Sequence, residues 1–298
     1  MDFQNVTVII PYLNAEATIE QCATSLLKQT YLVEKTVLLF VDNGSTDQST
    51  KKLSKLIAKE NRAQIIYCSK PGSYSARNTG LKQADSEIIA FTDSDCIAHP
   101  RWLETLVSNY SSKKIGGVGG KLIPLWEKSK PDFYATYHWL VGVYEQSLRY
   151  AAGYIQTANA SYRKDVLDRM QGYDESFVSG GDADLSWRVT NAGHKILYDP
   201  NAIIYHHPRR SVTALTRLFT RYGKGTAELE KTHPSRKMLT NVALFRTQFR
   251  RFRMMFTHPI FKPYRKYVLP AIGLEVIRAL AFLAGYFSKK FAQKSRQP

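Results

Sequence analysis

Asp93 and Asp95 stand two positions apart in Phe91-Thr-Asp-Ser-Asp-Cys96, directly after the apolar run Ile88-Ile-Ala-Phe91. Two carboxylates on a short turn at the C-terminal end of a strand can hold a hard divalent cation by oxygen. The C-terminal edge of a parallel sheet is also where open α/β folds take their ligands. A cation held there neutralises a diphosphate and helps it leave. Further downstream, Gly180-Gly-Asp-Ala-Asp-Leu-Ser-Trp-Arg188 brings Asp182, a carboxylate that can act as general base or as a helix N-cap.

The first 100 residues carry the elements that would position these groups. Val6–Ile10, Val37–Val41 and Gln64–Cys68 read as strands, and a fourth ends at Asp93. Between them, Ile19, Cys22, Ala23, Leu26 and Leu27 recur at helical spacing, with Asn14 available as cap. Ser45-Thr-Asp-Gln48 has capping-box spacing before Leu53, Leu56 and Ile57, and a third helix is expected from about Ser75 to Ala84. Repeated β-α-β units with short connections predict a mostly parallel sheet with helices on both faces. The middle is less regular. Gly116-Gly-Val-Gly-Gly120 reads as a tight turn before a strand at Lys121–Leu125, since it lacks the register and context of a phosphate-binding loop. Gly153–Ser161 precedes an amphipathic helix expected around Tyr162–Met170, and Ala202–Tyr205 reads as a strand followed by His206 and His207.

At 298 residues and 44% hydrophobic content the chain can bury a sizeable core, which excludes wholesale disorder. Three widely spaced cysteines, Cys22, Cys68 and Cys96, indicate neither a disulfide framework nor a zinc site and suit a reducing compartment. Residues 1–10 lack the basic region of a secretory signal. The net charge of +17 lies in one place: residues 201–298 hold 20 Lys and Arg against Glu228, Glu230 and Glu275, so residues 1–200 balance. From about Pro208 cations interleave with aromatics, as in Phe245–Phe256. Tyr267–Phe287 is then mostly apolar, long enough to cross a bilayer, with Glu275 and Arg278 on one narrow side of a helix. That pattern favours a helix in the interface of an anionic membrane over a lone span. A helix packed on its own domain is the alternative.

Taken together, Ile9-Ile-Pro-Tyr-Leu-Asn14, Val41-Asp-Asn-Gly-Ser-Thr-Asp47, Ser75-Ala-Arg-Asn-Thr-Gly80, Asp93-Ser-Asp95 and the Gly172-Tyr-Asp-Glu-Ser-Phe177 to Arg188 stretch resemble, in order and wording, family 2 of the nucleotide-sugar glycosyltransferases. The resemblance covers roughly residues 4–210. It implies a GT-A fold, α/β with a Rossmann-like mostly parallel sheet, in a catalytic domain of residues 1–210. Residues 211–298 would form a basic, largely helical, membrane-associating region, peripheral or monotopic on the cytoplasmic face. The implied activity is inverting, metal-dependent transfer of one sugar from a nucleoside-diphosphate sugar, UDP before GDP, to a lipid or glycan hydroxyl.

By the same resemblance Pro11, Asn14, Asp42, Arg77 and Asp93 face the nucleotide sugar. Asp95 and His206 hold Mn²⁺ or Mg²⁺, Asp182 is the general base, and Trp187 and Arg188 lie on the acceptor side, with packing of its own helix the equal alternative for Trp187. Two positions depart from the family pattern. Asn43 replaces a second aspartate, and Gly181 replaces the glutamate that usually precedes the base. No Gln/Arg-x-x-Arg-Trp motif of processive synthases follows, which fits single-sugar transfer. A nucleotidyltransferase would instead open on a glycine-rich loop with a basic residue. A non-enzymatic nucleic-acid binder would use the Arg/Phe-rich tail but leave the acidic turns unexplained.

Overall fold

The computed structural model describes residues 4–125, 133–141, 146–236, 249–250, 253, 256–257 and 265–294. Most of the aromatic–cationic run at 245–256 lies outside these. The chain forms two compact units. The first comprises Met1–Ile123, Gln146–Ser176 and Gly181–His206; the second comprises Pro124–Glu145, Phe177–Gly180 and His207–Pro298.

The first unit is built on an eight-stranded sheet. Its strands are β1 Val6–Tyr12, β2 Thr36–Asp42, β3 Ala63–Tyr67, β4 Ile88–Thr92, β5 Cys96–Ala98, β6 Ile115–Pro124, β7 Asn159–Arg163 and β8 Lys195–His206, in the order β3-β2-β1-β4-β7-β6-β8-β5. The β3-β2-β1-β4 half is parallel, as the βαβ spacing predicts. Every residue of β1 and β4 is buried, the composition of strands covered on both faces. The helices α1 Ile19–Leu27, α2 Ser49–Ile57 and α3 Ser73–Gln83 connect these strands. The remaining half turns antiparallel: β7 pairs with β4 and with β6, and β5 pairs with β8. The helices of that half are α4 Trp102–Ser108, α6 Gln146–Ala151, α7 Lys164–Arg169 and α8 Gly181–Asn191, while α5 Phe133–Val141 belongs to the second unit.

Several local expectations change. The glycine run is not a turn before a strand but the body of β6. A side chain at Gly117 would meet the Tyr162 ring at 2.7 Å, and one at Gly120 would strike the Ala202 carbonyl and Asn159. Glycine is there because neighbouring strands and side chains approach closely. Tyr162 belongs to β7, and the helix starts only at Lys164. Asn14 does not cap α1. It adopts φ 51° and accepts a hydrogen bond from the Thr46 amide at 2.8 Å, tying the β1 and β2 loops together. Asp47, not Ser45, receives the Ser49 amide at the start of α2, at 3.0 Å.

In the second unit, α9 Val212–Thr232 and α10 Val268–Lys294 pack along each other. A side chain at Gly223 would collide with the Phe282 carbonyl, and one at Gly285 with the Thr220 carbonyl, so glycine lets the two backbones touch. Lys289 pairs with Glu228 at 2.7 Å, Lys290 with Glu230 at 3.1 Å, and Tyr286 donates to Glu230 at 2.6 Å. Glu275 and Arg278 share one side of α10, paired at 2.9 Å, with Tyr137 donating to Glu275. The stretch Arg265–Gln293 is long and apolar enough to cross a membrane.

Candidate active site

The C-terminal ends of β1, β2 and β4 converge, since Tyr12 pairs with Asp42 and Ile9 with Phe91. Pro11 sits beyond the last β1–β4 pair, where its missing N–H costs no ladder bond on that side. Asp42 is buried: Oδ1 accepts from the Ser45 amide and Oδ2 from the Thr50 hydroxyl, each at 2.8 Å. Asn43 uses both ends of its amide. It accepts from the Gly72 amide at 2.8 Å and donates to the carbonyls of Lys70 and Cys68 at 2.8 and 3.1 Å. An ionised aspartate could not make those donations, so the amide at this position serves the loop that launches α3.

That loop delivers Arg77, only 5% exposed, whose Nη2 meets Asp93 Oδ1 at 2.5 Å. The guanidinium lies 5.7 Å from the Tyr74 ring and 5.9 Å from Tyr173. The two rings stack at 5.3 Å. Arg77, expected to face the nucleotide sugar, holds Asp93 and is itself held by two aromatics.

Asp95 and His206 come together through the β5–β8 pairing, which sets Cys96 opposite His206. Asp95 Oδ1 is 3.4 Å from His206 Nε2. Among the described residues, Asp95, Cys96 and His206 are the one trio whose ligand atoms lie within 4.8 Å of one another. A carboxylate oxygen and an imidazole nitrogen suit Mn²⁺, and the oxygen suits Mg²⁺. Cys96 suits neither, because sulfur is a softer donor than these ions prefer; in the metal-free protein, burial and then the nearby Asp95 and Asp93 charges push its thiol pKa well up.

Asp182 opens α8 and accepts from the Ala183 amide at 3.0 Å. Burial raises its pKa above the ordinary carboxylate value, partly offset by that amide and by the Arg77 charge. A carboxylate with a raised pKa is a better base. Ahead of it, the Gly181 amide donates to the Tyr74 hydroxyl at 2.9 Å. A side chain at Gly181 would meet three Tyr74 ring atoms at 2.8–3.0 Å, so Tyr74 fills the space that a larger residue there would need.

Trp187 takes the packing alternative, and the acceptor-side assignment of Arg188 needs correction. Trp187 is 1% exposed, its ring edge-on to Tyr154 and its Nε1 donating to the Ala152 carbonyl at 3.3 Å. Arg188 spans Asp184 at 2.7 Å and the carbonyls of Met170 and Gly172 at 2.6 and 2.9 Å. Both anchor α8 rather than line an open face.

Sequence reasoning missed the clasp beneath the site. Asn78 exchanges hydrogen bonds with Tyr173, 2.8 Å to its carbonyl and 2.9 Å from its amide. Glu175 accepts from Asn78 and Ser75 and pairs with Lys70 at 2.6 Å, which lowers its pKa. The Ser75–Gly80 and Gly172–Phe177 motifs are one contact seen twice in the sequence.

A parallel half-sheet that turns antiparallel after its D-x-D strand, with acidic groups at the strand ends, defines a glycosyltransferase of GT-A fold. The chain belongs to family 2 of these enzymes: the sequence profile Glycosyl transferase family 2 matches residues 7–171. Among curated relatives, glycosyltransferase AglE of Haloferax volcanii is 33% identical over 228 residues, 75% of this chain and 73% of that protein. The glucosyl-dolichyl phosphate glucuronosyltransferase of the same organism is 27% identical over 198 residues, 61% of this chain and 62% of its own length. Among solved structures, the mannosyltransferase PcManGT of Pyrobaculum calidifontis, in complex with GDP-Man and Mn²⁺, superposes with TM-score 0.70 over 97% of this chain and 88% of its own, at 16% identity.

Proposed function

We propose that this glycosyltransferase moves one sugar, with inversion, from a nucleoside-diphosphate sugar to a hydroxyl of a lipid or glycan acceptor at a membrane. The observation that carries the reading is the convergence of Asp95 with His206, and of Asp93 with Arg77, at the edge where α8 offers Asp182. Residues 1–210 serve as the catalytic part and 211–298 as the membrane-associating part. Asp42, with Pro11 and Asn14 beside it, supports the nucleotide. UDP stands ahead of GDP on the family resemblance, and the GDP-Man complex of PcManGT keeps GDP as the second donor.

Asp95 and His206 would hold Mn²⁺ or Mg²⁺, which when bound supplies positive charge to a leaving diphosphate. Arg77 holds Asp93 oriented toward the donor. Asp182 accepts the proton of the acceptor hydroxyl as its oxygen bonds to the anomeric carbon. The nucleoside diphosphate departs from the opposite face with the bonding pair. The partial burial of Asp182 supports this role, because desolvation raises the affinity of the carboxylate for that proton. A lipid acceptor is supported by the basic C-terminal part, by α10, and by the lipid-phosphate substrate that the Haloferax relative's name carries.

The test is thermal unfolding with UDP, GDP, CMP, TMP and ATP, with and without Mn²⁺. A ligand at about 100 times its Kd adds roughly 2.7 kcal/mol. A Mn²⁺-dependent shift with UDP or GDP is expected; no shift with any nucleotide overturns the reading.

A further inference from the structure

One face of α9 carries Arg217, Arg221 and Lys224 at i, i+4 and i+7 spacing. With Val178, Thr216 and Thr220 they line a groove of about 270 Å³. No carboxylate among the described residues pairs with these three cations, while Glu228 and Glu230 further along α9 are engaged by Lys289 and Lys290 of α10. Uncompensated positive charge thus rims a mostly apolar groove, with the Thr220 hydroxyl beside it. It is smaller than the roughly 300–1,000 Å³ of pockets that enclose drug-sized ligands. It fits a headgroup rather than a whole nucleotide sugar.

Its surroundings indicate what the headgroup is attached to. Thr220 lines the groove, and its backbone is in contact with Gly285 of α10. The outer face of α10 presents Leu269, Ile272, Val276, Leu280, Leu283 and Phe287 at steps of three and four, all exposed. An unpartnered apolar stripe on one helix and unpaired cations with a hydroxyl on the helix packed against it match an anionic amphiphile. Val178 also stands only four residues ahead of Asp182 in the chain.

We infer that this groove binds the phosphate of a membrane lipid, with the α10 stripe in the apolar layer beneath it. The inference rests on the membrane placement proposed above and assigns it a defined site. Phosphate oxygens accept from Arg217, Arg221 and Lys224 and from the hydroxyl of Thr220, while the Thr216 hydroxyl is spent on the Val212 carbonyl at 2.9 Å, so the site selects a phosphate-bearing headgroup rather than any anionic surface.

The test uses the full chain and vesicles of phosphatidylcholine, alone or doped with phosphatidic acid. The variant Arg217→Gln/Arg221→Gln/Lys224→Gln is compared with Lys51→Gln/Lys55→Gln/Lys59→Gln, which removes the same charge from exposed positions on α2 and just beyond its end. Near an anionic surface each cation contributes about 1 kcal/mol, or roughly fivefold, so the groove variant should lose on the order of 100-fold in affinity for the doped vesicles. The α2 variant should change little. An unchanged nucleotide-induced thermal shift checks that the groove variant is folded. Equal losses in both variants would reduce the effect to net charge and overturn the site. Displacement from vesicles by millimolar inorganic phosphate would make it a free-phosphate site and also overturn the lipid assignment. Wild-type binding that survives in the groove variant defeats only this inference. Wild-type protein that ignores both vesicle types defeats the membrane placement itself.

Discussion

Replacing Gly181 by alanine tests how the base is held. Gly181 has no left-handed backbone, so alanine adopts its conformation without strain. Taken alone, Gly→Ala in a helix gains up to about 1 kcal/mol. Here the added methyl would lie 2.8, 2.9 and 3.0 Å from Cζ, Cε2 and Cε1 of Tyr74. Comfortable carbon contacts are about 3.5–4.0 Å. The ring has little room to retreat, because Tyr173 stacks behind it at 5.3 Å and its hydroxyl is tied to the Gly181 amide at 2.9 Å. Overpacking of this kind costs about 1–3 kcal/mol, enough to reverse the helix-propensity gain. A displacement of about 1 Å at the neighbouring Asp182 is worth on the order of 10²-fold in rate. Gly181→Ala should therefore lower Tm by several degrees and lower kcat far more than it changes donor KM. Adding Tyr74→Ala removes the collision, so the two penalties should couple rather than add. Wild-type Tm and kcat in Gly181→Ala, or strict additivity in the double variant, would refute the idea that Tyr74 occupies the space above Gly181.

Asp182→Asn should abolish sugar transfer yet keep the nucleotide-induced thermal shift. Because the folded pKa of Asp182 is raised, the native state binds more protons between the unfolded and folded pKa values. Its contribution to stability is therefore present below the unfolded value and lost as pH rises through the folded one, so the asparagine variant should melt no lower than wild type at neutral pH. The acid limb of kcat/KM should inflect above the reference aspartate value of about 3.9. Arg77→Met should destabilise by about 2 kcal/mol in chemical denaturation. That is less than the roughly 3–5 kcal/mol for a fully buried pair, because Asp93 keeps partial access to water. Asp95→Asn and His206→Gln should each raise the half-saturating Mn²⁺ concentration in transfer assays by at least about tenfold. A change in only one of them would separate the pair.

Strands β1, β2 and β3 were legible as a parallel set because each pairs with a strand one helix away, so periodicity carries them; β4 returns to pair with β1, a placement that periodicity does not give. The acidic turn and Asp182 were legible as motifs. What escaped was what tertiary contact decides. Glycines 116–120 signal a turn locally, yet β6 uses them to approach Tyr162, Asn159 and Ala202. Trp187 and Arg188 sit next to the base in sequence, but the helical turn rotates them into the core and onto Asp184. The clasp of Asn78 with Tyr173 and Glu175 joins motifs far apart in the chain, and nothing in either spacing announces it.

The β5–β8 pairing has a consequence for biosynthesis. Asp95 leaves the ribosome early, but His206 belongs to the last strand of the sheet. A nascent chain that has already formed β1 to β4 still lacks one of the two candidate cation donors. Fragments ending near residue 171, where the family profile stops, would share that deficit. Ion capture would then report completion of the sheet, and a prematurely terminated chain would be left without a functional cation site.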